Sequence, residues 1–249
     1  MSETHFFERC RTYIDCHLRP PLRAGAGDWV EMPSVTISRQ AGTGGISVAQ
    51  ALATWLQEHA PKSTCPWTVF DKNLVQRVLE DHNLPARIAQ FMPEDKGSSV
   101  SDAVEELLGL HPASWKLVRQ TTETILQLAE LGNAILVGRG ANVITAHLDH
   151  VFHARLVGSL ARRVERIMAA SKIGRRAALA FIKKEDTGRQ RYLRRYFGQN
   201  IDDPLLYHLT LNTDHVQEKA AAELVGRAVL ARFYSRSIGG TTPGSARLP

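Results

Sequence analysis

Apolar residues recur along this chain with two alternating periods. Short runs rich in β-branched or aromatic residues stand at 35–38, 67–70, 134–137, 151–157 and 207–212. Between them apolar positions fall at helical spacing, over 47–59 (Val48, Leu52, Trp55, Leu56), 115–131, 159–171, 175–184, 187–197 and 215–233. Residues 82–131 are mostly helical in pattern, with breaks at Pro85, at 93–99 and at His111-Pro112. The unbroken run Ala134-Ile135-Leu136-Val137 is what a strand buried on both faces needs. Five short strands separated by helices predict an α/β fold, a five-stranded parallel sheet with helices on both faces.

Both ends read as additions to that domain, which is expected over 34–234. Phe6, Phe7, Cys10, Tyr13, Ile14 and Leu18 predict an amphipathic helix ended by Pro20-Pro21, packed on the domain or on a second copy of the chain. The linker Ala24-Gly25-Ala26-Gly27-Asp28 completes an extension over 1–33. Residues 235–249, rich in Gly, Ser, Thr and Pro, predict a disordered tail.

The first strand runs into Arg39-Gln40-Ala41-Gly42-Thr43-Gly44-Gly45-Ile46-Ser47 and then a helix. Strand, glycine-rich turn and helix together cradle phosphate, because loop N–H groups converge on an anion beside the positive end of the helix. In the usual phosphate loop a Lys follows the last glycine of G-x-x-x-x-G and reaches the outer phosphates. Gly45 stands in its place.

Charge sharpens this picture. The net charge is +6, yet residues 155–195 hold ten Arg and three Lys against Glu165, Glu185 and Asp186, a local +10 that leaves the remainder at −4. So local an excess implies a polyanionic ligand. No apolar run reaches the roughly 20 residues of a membrane-spanning helix, and the N-terminus lacks a signal-peptide pattern. Three cysteines (Cys10, Cys16, Cys65) are too few and too irregularly spaced for a disulfide framework or zinc site, and fit a reducing cytoplasm. His147, His150 and His153 straddle a loop and a strand and read as structural or surface groups.

Four stretches in order carry a family resemblance. They are Ile37 to Gly45, Phe70-Asp71-Lys72, Gly138-Arg139-Gly140-Ala141 and Leu211-Asn212-Thr213-Asp214. Over about residues 34–232 the chain resembles the cytidylate kinase-like family, a branch of the P-loop nucleoside monophosphate kinases in which glycine commonly replaces the loop Lys. The resemblance implies a P-loop NTPase fold with a helical monophosphate-binding insertion (about 72–131) and a basic lid (about 159–200). It also implies phosphoryl transfer from ATP-Mg²⁺ to a nucleoside monophosphate, CMP or dCMP by default, or to a related small phosphate acceptor.

Roles follow for particular residues. Ala41, Gly42, Thr43, Gly44, Gly45, Ile46 and Ser47 would hold nucleotide phosphates, with Ser47 the contact to Mg²⁺; Thr43 and Ser47 could instead cap the helix. Arg39 either replaces the missing Lys or points outward to a surface carboxylate. Arg162, Arg166 and Arg191 are lid cations, Arg162 and Arg166 being one helical turn apart. Asp71 accepts from a base amino group or sugar hydroxyl, or caps the next helix. Arg77 and Arg139 hold the acceptor phosphate, and Asn142 contacts the base or caps a helix. Val137 passes directly into Gly138, so no Mg²⁺-binding carboxylate ends the third strand. Two rival classes remain: a non-catalytic nucleotide- or phosphate-binding module, and nucleic-acid binding through the basic helices, which needs no phosphate loop.

Overall fold

The structure, a computed structural model, describes residues 12, 13, 15–17, 32–61, 65–71 and 116–234. Its centre is β1 (Ser34–Arg39), flanked by β3 (Ala134–Val137) and β4 (Val151–Val157), with β2 (Thr68–Phe70) and β5 (Leu209–Asn212) outside them. The order β2-β3-β1-β4-β5 is parallel throughout, with Ile37 level with Val137 on one side and Ala154 on the other.

The pleat sorts side chains between two cores. Val35, Ile37, Ile135, Val137 and Leu156 face α1 (Gly45–His59) and α6 (Glu218–Phe233), meeting Val48, Leu52, Leu56, Val225 and Val229. Ala134, Leu136 and Phe70 face α2 (Lys116–Leu131) through Ile125, Leu128 and Ala129. Each buried Val, Leu, Ile or Phe side chain among them contributes about 1.5–3 kcal/mol. The order of strands brings the loop after β1 between the ends of β3 and β4, and α3 (Ala141–Ile144), α4 (Leu160–Ser171) and α5 (Arg175–Phe197) gather at that same edge.

Several boundaries differ from the sequence pattern. The basic segments expected at 175–184 and 187–197 form one helix, α5, running through Gly188. An internal glycine costs a helix only about 1 kcal/mol, which Ala178, Ile182 and Leu193 offset by burial. A short 3-10 turn, Pro204–Leu206, shortens the last strand, and the closing helix begins only at Glu218. The helix expected after Asp71, Arg77 with it, and the 235–249 tail lie outside the described residues.

The cysteine expectation needs correction, since Cys16 and Cys65 form a disulfide with Cα atoms 5.5 Å apart. Packing brings together what sequence separation hid. Tyr13, fully buried, donates its hydroxyl to the Gly132 carbonyl (2.6 Å) and sets its ring edge-on to Phe70, which holds its helical turn beside β2. Among the described residues no helix is long and apolar enough to cross a membrane.

Of the three closely spaced histidines, His147 is exposed while His150 and His153 are buried. The His153 ring nitrogen Nδ1 is 2.9 Å from the Thr36 hydroxyl, and the ring stacks on His208 at 5.0 Å. Burial first, then the neighbouring His208 and Arg232, push its pKa from 6.5 down to about 4. A folded pKa below the unfolded one means that the unfolded chain binds more protons between those two values. Stability should therefore be full above pH 6.5 and decline by about 3 kcal/mol as pH falls to about 4. Urea unfolding at pH 7, 5.5 and 4 checks this, with a shallower decline expected for His153→Gln.

Candidate functional site

The loop after β1 is stitched to its neighbours at its start and open at its end. The Gln40 N–H donates to Leu156 O (3.1 Å), and Gln40 Oε1 accepts the Gly158 N–H (3.0 Å). The Ala41 N–H donates to Asp186 Oδ1 (2.7 Å), and the Thr43 hydroxyl to Gln40 O (2.8 Å). Gly42 and Gly44 then take φ of +82° and +75°. A Cβ at Gly42 would lie 2.7 Å from the Arg163 carbonyl, so both backbone twist and space demand glycine. Among the described residues, no oxygen receives the N–H groups of residues 42–47. They form an open row at the start of α1, the arrangement that binds anions. Neither Thr43 nor Ser47 caps that helix: its N-cap is Gly44 without a side-chain bond, Thr43 turns back to Gln40, and Ser47 is exposed.

Arg39 does not point outward. Its chain folds across Gly45, where an ideal Cβ would sit 2.9 Å from Arg39 Cγ, and its guanidinium lies against Gly138. It makes no hydrogen bond to a described residue. Burial, then the nearby Arg189 charge, pushes its pKa down to about 10 against the opposing pull of Glu185 and Asp71, with Arg139 adding a smaller push.

At the end of β3, Gly138, Arg139 and Gly140 all have positive φ (87°, 55° and 72°). Only the middle position carries a side chain, an uncommon conformation that marks strain. The buried Nε of Arg139 has no partner. Asn142 is 5% exposed with Nδ2 unpaired, and it caps nothing because α3 begins after Gly140. Tyr192 lies beside this turn, its phenol pushed up to about 12 by burial against the opposing Arg139 charge.

These groups face a cavity of about 750 Å³ between the sheet edge and α5. From α5 come Lys183, Lys184, Glu185, Arg189, Arg191 and Tyr192. The one carboxylate among them, Glu185, pairs with Arg189 at 2.9 Å. Among the described residues, Arg39, Arg139, Lys183, Lys184 and Arg191 have no ion-pair partner. A smaller cavity of about 180 Å³ lies beside it, sharing Arg39 and Arg189 and lined also by Arg155, Arg163 and Asp186.

Of the residues singled out from sequence, the structure thus gathers Arg39, Arg139, Asn142 and Arg191 around one cavity, next to the loop of Ala41, Gly42, Thr43, Gly44, Gly45, Ile46 and Ser47. Asp71, at the end of β2, acts on Arg39 through its charge. Arg162 and Arg166 are not brought into the cavity. Arg162 has 65% of its side chain exposed and pairs with Glu165. Arg166 donates to the Gly42 carbonyl (3.4 Å) and to the hydroxyl and carbonyl of Thr213. Arg155, 4% exposed, is held by Ser38 (2.9 Å) and Asp202 (2.5 Å). Part of the local +10 therefore supports the protein itself. Sequence reasoning passed over Lys183, Lys184, Asp186 and Arg189. The acids three and four residues before Arg189 were the available sign that this arginine is held in place.

A model of the cytidylate kinase-like family matches residues 34–215. No curated protein matches the chain. Among solved structures, an uncharacterized protein from Eubacterium ventriosum ATCC 27560 is 18% identical, with 81% of this chain and 99% of that one covered and a TM-score of 0.59. Shikimate kinase from Bacteroides thetaiotaomicron is 12% identical, with 80% and 97% covered and a TM-score of 0.43. At such identity the first likeness speaks for the fold alone.

The two arginines of α4 should behave differently. Arg166→Ala strips partners from Gly42 and Thr213 and should cost about 1–3 kcal/mol of stability. Arg162→Ala should stay within about 0.5 kcal/mol of wild type. Urea denaturation of both variants decides it.

Proposed function

The chain belongs to the cytidylate kinase-like family, and we propose that it is a nucleoside monophosphate kinase-like phosphotransferase. It would move a phosphoryl group from ATP to CMP, dCMP or a related small phosphate-bearing acceptor. The observation that carries this reading is Arg39, whose aliphatic stem fills the volume that a side chain at position 45 would need and whose guanidinium lies unpaired against Gly138. On this reading Arg39, at the end of the strand before the loop, supplies the cation that position 45 lacks.

Phosphoryl transfer asks a protein for position and positive charge rather than covalent chemistry. The open N–H groups of residues 42–47 would hold the donor phosphates, while Arg39 and Arg189 stabilise charge building on the transferring group. Arg139 and Asn142, each with a buried unpaired N–H group, would bind and orient the acceptor. The planar Arg139 fork suits its phosphate. Helices α4 and α5 act as a lid, and Lys183, Lys184 and Arg191 draw the anions in and help exclude water. Bound ATP-Mg²⁺ supplies the transferable group. Ser47, exposed on the first turn of α1, would offer one oxygen to the ion. The absence of a carboxylate at the end of β3 favours a second reading, a nucleotide-binding module without turnover.

A coupled ADP-release assay with ATP-Mg²⁺ and a panel of nucleoside monophosphates separates the two. Turnover with one acceptor is expected, reduced about 10²–10³-fold in Arg39→Ala. Gly45→Lys alone should be inactive because its chain collides with Arg39, and activity should return in part when both substitutions are combined. ATP-dependent thermal stabilisation without turnover would support the binding module. No response to ATP, with steeply salt-dependent binding to nucleic acid, would overturn both.

A further inference from the structure

One carboxylate outside the anion-facing set is bound more tightly than surface chemistry requires. Asp186 sits on α5, a helix crowded with cations, yet it turns inward with 22% of its side chain exposed. Oδ1 accepts the Ala41 N–H at 2.7 Å and Arg189 Nη1 at 3.0 Å; Oδ2 accepts Arg163 Nη1 at 2.6 Å. Arg163 Nη1 also donates to the Ala41 carbonyl at 3.2 Å, and its Nε to Gly158 O at 3.0 Å. Both main-chain polar groups of Ala41 are thereby held by side chains of α4 and α5.

We propose that Asp186 is a positioning residue that sets the phosphate loop and Arg189 in register with each other. The inference rests on the phosphotransferase reading for its kinetic consequence, but its structural part stands separately. Burying a carboxylate is unfavourable unless donors surround it, and here three do. Gln40 anchors the loop to β4, but beyond Ala41 the N–H groups are open and Gly42 and Gly44 leave the backbone permissive. Holding Ala41 fixes where that open row begins. The same carboxylate, with Glu185 on the other guanidinium nitrogen (2.9 Å), aims Arg189 into the cavity. Two parts of the site that must meet on one phosphate are thus tied to a single group, and a small displacement of either carries a large kinetic penalty.

The test combines amide exchange with kinetics on the full chain. By NMR, the Ala41 amide should be protected in wild type and exchange at least about tenfold faster in Asp186→Asn, which keeps the shape but not the charge. In the ADP-release assay, kcat/KM for ATP should fall about 10- to 100-fold, the scale of one charge-assisted hydrogen bond, with the acceptor KM within about twofold of wild type. Asp186→Glu should recover much of both losses. Wild-type exchange at Ala41 in Asp186→Asn, with kcat/KM unchanged, overturns the proposal. If the wild-type chain shows no turnover, the phosphotransferase reading fails, and the exchange of Ala41 still decides the role of Asp186. Asp186→Asn, isosteric with the native residue, is the variant that decides should Asp186→Ala not fold.

Discussion

Two residues cannot fill one volume, and that exclusion organises this protein's functional edge. Arg39 lies across Gly45 and against Gly138, so neither glycine can carry a side chain while the arginine holds its place. A guanidinium so placed is largely withdrawn from water and close to Arg189 and Arg139, which is why its pKa drops to about 10. Such a group is unfavourable in an empty site and favourable once an anion arrives. That is the geometry we propose for holding negative charge.

Around this point the protein separates cations that serve the fold from cations that face the cavity. Arg155, Arg163 and Arg166 join strand ends, loop and helices, each bound to carboxylates, hydroxyls or carbonyls. Arg39, Arg139, Lys183, Lys184 and Arg191 have no such partners among the described residues. Guanidinium suits both duties, because its planar set of donors can either knit several acceptors together or meet a phosphate two-pronged. The difference is made by neighbouring acids. Glu185 and Asp186 flank the turn of α5 that presents Arg189, and they fix that arginine without leaving the cavity anionic.

The strained turn Gly138-Arg139-Gly140 belongs to the same economy of space. Its three positive φ values place a charged side chain at the mouth of a buried strand, with Tyr192, Leu193 and Phe197 of α5 packed where a side chain at 140 would begin. Sheet edge and α5 are thus fitted at contact distance, and the cavity between them takes its shape from glycines as much as from arginines.

The sequence alone determined the sheet, because strand and helix periods differ and each strand's alternation or unbroken apolar run demands its own layers. Parallel strands deliver their following turns to one side, so the sequence also placed the glycine-rich loop, Asp71 and Gly138-Arg139-Gly140 on one edge of the sheet. The direction of a side chain is another matter. Arg162 and Arg166 are one turn apart on one helix, yet one meets solvent and the other Gly42 and Thr213, a difference set by which element lies opposite. Cys16 meets Cys65 across 49 positions of chain, and Ala41 meets Asp186 across 145. Local pattern carries information about period and propensity; pairings between distant residues depend on how the layers pack, and only the tertiary structure decided them.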